Sequence, residues 1–362
     1  MKEAVFAVPG DLATPTGGYG YARRIIAELT ALGWRMEVLN LGEGFPWPTA
    51  RARAVAAERL ALLPPGRAIV VDGLAFGVLP EAAEVLRESH GLVALVHHPL
   101  ALESGLSAAQ SAGLRTSERA ALAGARHVIT SSASTGRLLV SDYGVAPERL
   151  SVVAPGTDLP RTCSRGSEGG VALLAVGAVV PRKGYDLLVA ALSELEHLPW
   201  RLVIAGDGGR SPQTLAQLEA DIARLGLADR IALRGAVSGE ELASLYESSD
   251  LFVLPSRYEG YGMAYTEAIA HGLPVVGTTA GAIPETVPAE AGVLVPPDDA
   301  AALAAVLRRL IENPRERERL AAGARAVRFP SWGEQSALFA GVLERLVLER
   351  LALERLALER PA

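Results

Sequence analysis

Residues 251–276, LFVLPSRYEGYGMAYTEAIAHGLPVV, restrict the fold more than any other stretch of the chain. The apolar run Leu251–Leu254 reads as a buried parallel strand. The loop Pro255–Gly260 is polar and turn-rich. A helix is predicted over Gly262–His271, stopped by Gly272 with Pro274 just beyond. A second apolar run from Pro274 to Val276 opens the next strand. Two carboxylates flank the helix start: Glu259 in the loop and Glu267, about two helical turns deeper. The first amides of a helix have no intrahelical partner, and with the positive end of the helix dipole they form an anion site. Gly260, Tyr261, Gly262 and Met263 stand at that end, and the glycines admit a ligand close to the backbone. The pattern suits a phosphate at the helix start, with an acid on either side to accept sugar or ribose hydroxyls.

Short apolar strands recur at Ala4–Val8, Arg35–Leu39, Ala68–Val71, Leu92–Val96 and His127–Thr130, with helical stretches between them. The pattern returns at Val171–Val176, Leu202–Ala205, Ile231–Leu233 and Gly292–Val295, followed by outer helices over Leu303–Val327. This alternation means βαβ units and parallel sheets with helices on both faces. A chain of 362 residues is long for one domain. The segment LPRTCSRGSEGG, about 159–170, lacks periodicity and reads as a linker. The expected domains are therefore 1–160 and 171–330, with C-terminal helices over 331–362.

Several loops at the carboxyl edges of these strands carry ligand chemistry. Gly17 and Gly18 follow the first strand, where mononucleotide-type folds bind phosphate or sugar; the spacing is not that of a dinucleotide fingerprint. His97 and His98 end the strand Leu92–Val96. Neighbours on extended chain point oppositely, so one of the two is expected to face a ligand and the other to pack. Arg182 and Lys183 lie between the strand Val171–Val176 and a helix starting near Tyr185, where two cations suit a diphosphate. Of the 35 basic residues only Lys2 and Lys183 are lysines, so a compact ammonium in mid-chain draws attention. Gly206 opens a Gly-Asp-Gly turn that lets a nucleotide pass close to backbone. Tyr19 and Tyr21 either stack on an acceptor or pack.

The bulk properties exclude some classes. A net charge of −6 argues against nucleic acid as a partner, while leaving room for a local basic patch toward a membrane surface. Mean hydropathy is +0.24, yet no apolar run approaches the roughly 18 residues of a membrane span. The sequence MKEAVFAVPGD reads straight into a strand, without the longer apolar segment of a signal peptide. The single cysteine, Cys163, precludes an intrachain disulfide and fits a cytosolic setting. With 6 histidines and no gathered ligand set, a metal centre is not expected; no other cofactor is expected either. The tail, LVLER-LALER-LALER, advances 140° net per five residues, so its leucines spiral instead of forming one stripe. It reads first as a marginally packed repeat expansion and second as an oligomerisation helix; the oligomeric state stays open.

With its flanking glycines and the A-x-A-x-G-x-P-V continuation, EGYGMAYTEAIAHGLPVV resembles the Glu-x7-Glu signature of the retaining glycosyltransferases of family 4. That resemblance implies a GT-B fold: two Rossmann-like doubly wound α/β domains facing a central cleft, with a C-terminal helix returning to the first domain. It implies transfer of a sugar from a nucleotide diphosphate sugar to an acceptor, with no metal and with the leaving phosphate oxygen deprotonating the acceptor. By the same resemblance Glu259 contacts the donor sugar, Glu267 holds the ribose, and Arg182 with Lys183 grips the diphosphate. Gly17 and Gly18 match a glycine pair facing donor phosphates and acceptor. His97 falls near the sugar, Val237 near the base, and Gly156-Thr157-Asp158 near the hinge. Two other readings share the sheets: a non-catalytic nucleotide-sugar-binding subunit, and a GT-B enzyme of other chemistry such as an epimerase or phosphorylase. For a phosphorylase's pyridoxal Schiff base only Lys2 and Lys183 are available, both badly placed.

Overall fold

A computed structural model describes residues 2–160 and 170–358, with side chains through Glu349. Cys163, most of the predicted linker and the side chains of the repeat beyond residue 349 lie outside that description. The chain divides into two units, one running to Gly156 and resuming at Ser331, the other Thr157–Pro330. Thr157 and Asp158, read from sequence as the end of the first domain, belong to the second. The Thr157 amide donates to the Pro330 carbonyl at 2.9 Å, which ties the start of that unit to its end.

The first unit holds strands β1 (Glu3–Val8), β2 (Arg35–Asn40), β3 (Ala68–Asp72), β4 (Gly91–Val96), β5 (His127–Thr130) and β6 (Leu150–Val152). They form one parallel sheet in the order β2-β1-β3-β4-β5-β6. The inner strands are near-continuous apolar runs because helices cover both faces, and Ala4–Val8 is fully buried. Edge strand β2 is largely exposed and carries Arg35 and Glu37. A helix spans Trp332–Leu358, within the C-terminal helical stretch expected from sequence, because Leu, Ala, Glu and Arg all sustain helix whether or not they form a stripe. Its buried residues Trp332, Phe339, Leu343 and Leu346 recur at helical spacing, and Phe339 stacks on Phe6 at 6.4 Å. Leu346 is buried whereas Leu348, two residues on and so on the opposite side of the helix, is 65% exposed.

The second unit holds β7 (Val171–Val176), β8 (Trp200–Ala205), β9 (Ile231–Gly235), β10 (Leu251–Val253), β11 (Val275–Thr278) and β12 (Gly292–Val295). The parallel order is β12-β11-β10-β7-β8-β9, the Rossmann arrangement, in which the winding reverses between β7 and β10. The carboxyl ends of two such neighbours are where open parallel sheets bind ligands. The outer helical stretch is two helices, Ala300–Glu312 and Pro314–Ala326. Pro314 starts the second, and the Asn313 side chain accepts from the Glu316 amide at 3.1 Å. Among the described residues no helix is long and apolar enough to cross a membrane.

Candidate active site

The loops after β7 and β10 meet at the switch point and bring three predicted residues into direct contact. Lys183 Nζ lies 2.6 Å from Glu259 Oε1, and Arg182 Nη1 lies 3.1 Å from Glu259 Oε2. Arg182 also donates to the Tyr258 carbonyl at 2.7 Å. A third donor, Ser256 Oγ, reaches Glu259 Oε1 at 2.7 Å. Burial alone would push the Glu259 carboxyl up. Lys183, then Arg182, then the hydrogen bonds outweigh it and hold the group down at about 2, so it stays anionic. The carboxylate is 6% exposed, and a charge so buried persists only because its partners match it.

Local backbone explains why these residues converge. Pro181–Lys183 forms one tight turn closed by Gly184 at φ +70°. A Cβ at 184 would fall 2.1 Å from the Pro255 carbonyl oxygen, so only glycine allows the two loops to touch. Arg257 clamps them from outside: its guanidinium pairs in a fork with Asp186 at 2.9 and 2.7 Å and donates to Pro181 O at 2.6 Å. The turn after β11 adds a third brace. Thr278 Oγ1 donates to Ser256 O, and the Ala282 amide donates to Glu259 O at 2.9 Å.

The central helix begins at Met263, not Gly262, because Gly262 sits at φ +93° and serves as its N-cap without a side-chain cap. Glu267 lies about one turn into that helix. Its Oε2 accepts from the Tyr246 hydroxyl at 3.0 Å. Burial pushes Glu267 up to about 7, against the pull of Tyr246 and with a further push from Asp158. Gly260 is buried and Tyr261 half-buried at the same helix start. Gly206 is required by the protein's own backbone, since a Cβ there would fall 1.8 Å from Gly177 O. Val237 is half-buried in the loop after β9.

The remaining predicted residues lie in the first unit. Gly17 and Gly18 form the first turn of helix Gly17–Ala31, capped by Thr16. A Cβ at 18 would sit 3.1 Å from the His97 ring, so Gly18 is what lets the imidazole approach. His97 packs edge-on against Tyr21 at 5.2 Å, and its buried Nε2 has no hydrogen-bond partner among the described residues. Burial, then His98, lowers its pKa to about 4, so it is neutral. His98 turns toward Glu103, at 3.4 Å. Tyr19 and Tyr21 are both buried and donate to the Pro9 and Val153 carbonyls. They pack.

Sequence reasoning missed Ser256, Arg257, Asp186, Thr278 and Tyr246. The first three had a signal, lying within three residues of Glu259 or Lys183. Thr278 and Tyr246 reach the site only through tertiary packing. Among the described residues no three His, Cys, Asp or Glu side chains gather as metal ligands. A cavity of about 480 Å³ lined by Arg87, Arg126, His127 and Arg345 lies at the amino edge of the first sheet. That is the end opposite to where parallel sheets bind ligands.

Two Rossmann-like parallel sheets in two units, one carrying an Arg-Lys-Glu cluster at its switch point, are the sheets of the GT-B class. Residues 165–327 match the family described as glycosyl transferases group 1. A mannosyltransferase of Mycolicibacterium hassiacum, named MMP alpha-(1->4)-mannosyltransferase, is 31% identical over 286 residues, 73% of this chain and 67% of that protein. The D-inositol 3-phosphate glycosyltransferase of Thermomonospora curvata is 35% identical over 234 residues, 57% of this chain and 54% of that relative, just over half its length. The solved sucrose-phosphate synthase of Thermosynechococcus elongatus shares the fold at TM-score 0.75 and 21% identity, covering 98% of this chain and 99% of that one. Anabaena HepE, solved with UDP and glucose, does so at TM-score 0.73 and 20% identity over 94% of this chain and 100% of that one. The chain belongs to the glycosyl transferases group 1. It is a sugar-transferring enzyme of the hexosyltransferase type.

Proposed function

We propose that the second unit binds a nucleotide diphosphate sugar and that the enzyme transfers the sugar with retention of anomeric configuration and without a metal ion. The observation that carries this reading is the convergence of Arg182, Lys183 and Glu259 at the β7/β10 switch point, with Glu267 on the adjoining helix. Arg182, Lys183 and the helix start at Gly262 and Met263 supply fixed positive charge where a leaving diphosphate becomes negative. Glu259, kept anionic by those same cations, orients the sugar and favours oxocarbenium-like charge. The bond from the anomeric carbon to the diphosphate oxygen breaks. The acceptor hydroxyl oxygen bonds to that carbon from the same face, and its proton passes to the departing diphosphate oxygen. Glu267 holds the ribose, and the loop at Gly206 and Val237 flanks the base. To the first unit we assign acceptor recognition, with Gly17 and Gly18 facing phosphates and acceptor; neutral His97, whose Nε2 has no hydrogen-bond partner among the described residues, is assigned to a sugar hydroxyl.

A structural relative in complex with UDP and glucose supports a nucleotide-sugar donor. Relatives named for inositol phosphate, mannosylfructose-phosphate and sucrose-phosphate support small hydroxylated phosphate esters as the first acceptors to assay. A lipid-linked glycan, with peripheral membrane contact, is the second. The single cysteine favours a cytoplasmic setting. The test is thermal stabilisation by UDP, GDP, ADP, TDP and CDP and their sugar conjugates, with and without EDTA. A ligand at about 100 times its Kd adds about 2.7 kcal/mol, a shift of several degrees. One responder indifferent to EDTA, followed by a product whose anomeric proton signal matches the donor's configuration, is expected. No responder at millimolar concentration would overturn the donor site, and an inverted product would overturn retention.

A further inference from the structure

We infer that Tyr246 is a positioning residue for ribose recognition: it holds one oxygen of Glu267 so that the other is presented to the ribose hydroxyls. The inference rests on the reading of Glu267 given above. Tyr246 lies on the helix Gly239–Glu247, far from Glu267 in sequence, and is 2% exposed. Its ring is fixed on two sides, stacked on His271 at 4.8 Å and 20° and set against Phe252 at 6.3 Å. A phenol that cannot swing gives its hydroxyl one position, and that position is 3.0 Å from Glu267 Oε2.

The hydroxyl also lies 3.5 Å from the Ala264 carbonyl, which lets the pair survive either ionisation state. With Glu267 ionised, the phenolic proton goes to the nearer, charged oxygen. With Glu267 neutral, the carboxyl proton is donated to the phenol oxygen, and the phenol turns its own proton to Ala264 O. The ionisable groups acting on Glu267 are Tyr246 and Asp158, and His271 stands behind the Tyr246 ring. Buried and rigid, Tyr246 does for Glu267 what Ser256 does for Glu259. It selects one rotamer before the ligand arrives, so less freedom is lost on binding. A carboxylate with both oxygens free would have to be ordered by the ribose itself.

The test uses the whole chain with UDP, GDP and ADP as probes, each against its 2′,3′-dideoxy counterpart, and measures Kd by calorimetry for wild type, Tyr246→Phe and Glu267→Gln. Wild type should prefer the ribose form by about tenfold or more, about 1.4 kcal/mol. Tyr246→Phe should remove most of that preference by weakening the ribose form alone, with the dideoxy affinity within about twofold. Glu267→Gln should remove it as well. Two results overturn the role of Tyr246: full ribose preference in Tyr246→Phe, and an equal loss for both sugars, which is what a packing defect produces. Should Glu267→Gln keep the preference, the assignment of Glu267 to the ribose falls instead. If no nucleotide binds wild type, the donor site falls and this inference with it. As a second readout on the assayed enzyme, Tyr246→Phe should raise the donor KM about tenfold and leave kcat within about twofold.

Discussion

Replacing Lys183 by Met removes an ammonium from a buried carboxylate and tests the central cluster most directly. At 2.6 Å and an effective dielectric of about 20, the gross Coulomb attraction of Lys183 and Glu259 is about 6 kcal/mol. Much of it offsets the desolvation of two groups that are 13% and 7% exposed. Glu259 keeps Arg182 and Ser256 in the variant, so the loss lies below that of an isolated buried pair. Lys183→Met is therefore expected to cost about 2–4 kcal/mol of stability. Glu259→Gln leaves two cations facing an amide and should cost a similar amount. In the double variant Lys183→Met/Glu259→Gln the penalties should overlap, giving a coupling of about 2 kcal/mol or more. The assay is urea unfolding of the four proteins, read as midpoint and slope. Additivity within about 0.5 kcal/mol would refute the reasoning, since it would mean the pair contributes nothing net. Function supplies a second sign. Glu259→Gln removes the competing carboxylate charge and should leave nucleoside diphosphate affinity equal or higher while transfer falls about 100-fold or more. Lys183→Met should lower both.

Gly184→Ala should cost about 2–3 kcal/mol and lower transferase activity, because φ is +70° and the new methyl meets Pro255 O at 2.1 Å; an unchanged melting temperature would refute this. Glu118 in the first unit is 1% exposed, and burial pushes its pKa up to about 8, against the hydrogen bond from the Leu100 amide. Its folded pKa lies above the unfolded value near 4.5, so its contribution to stability is full below about 4.5 and is lost as pH rises toward 8. Glu118→Gln should therefore flatten the decline in denaturant midpoint over that window, and an unchanged profile would refute the assignment. Glu259 acts in the opposite sense. Held near 2, it contributes above about 4.5 and is lost as pH falls through 2, so Glu259→Gln should remove part of the acid sensitivity below pH 4.5.

Much of this protein was legible in its residues. Strand after strand lies within a residue or two of its apolar run, because a parallel strand covered on both faces has to be apolar throughout and too short for a helix. The Glu-x7-Glu unit and the adjacent Arg182-Lys183 were legible for a similar reason: each is a local device, a helix start or a turn, whose chemistry sits beside the residues that shape it. Past Arg345 the repeat forms no stripe, and propensity alone extends the helix there whether or not it has a face to bury.

What only the tertiary structure decided is which groups meet. Sequence places Lys183 and Glu259 in two different loops, 76 residues apart, and assigns the cations to a phosphate and the acid to a sugar. The winding order sets β7 beside β10, and that adjacency joins them into one charge cluster. The same holds for Tyr246 and Glu267, which no spacing connects, and for His97, whose ring is admitted by the missing side chain of Gly18. Periodicity records which face of an element is buried. It carries no information on which buried face lies opposite, because that depends on strand order and on the few glycines that let two backbones touch.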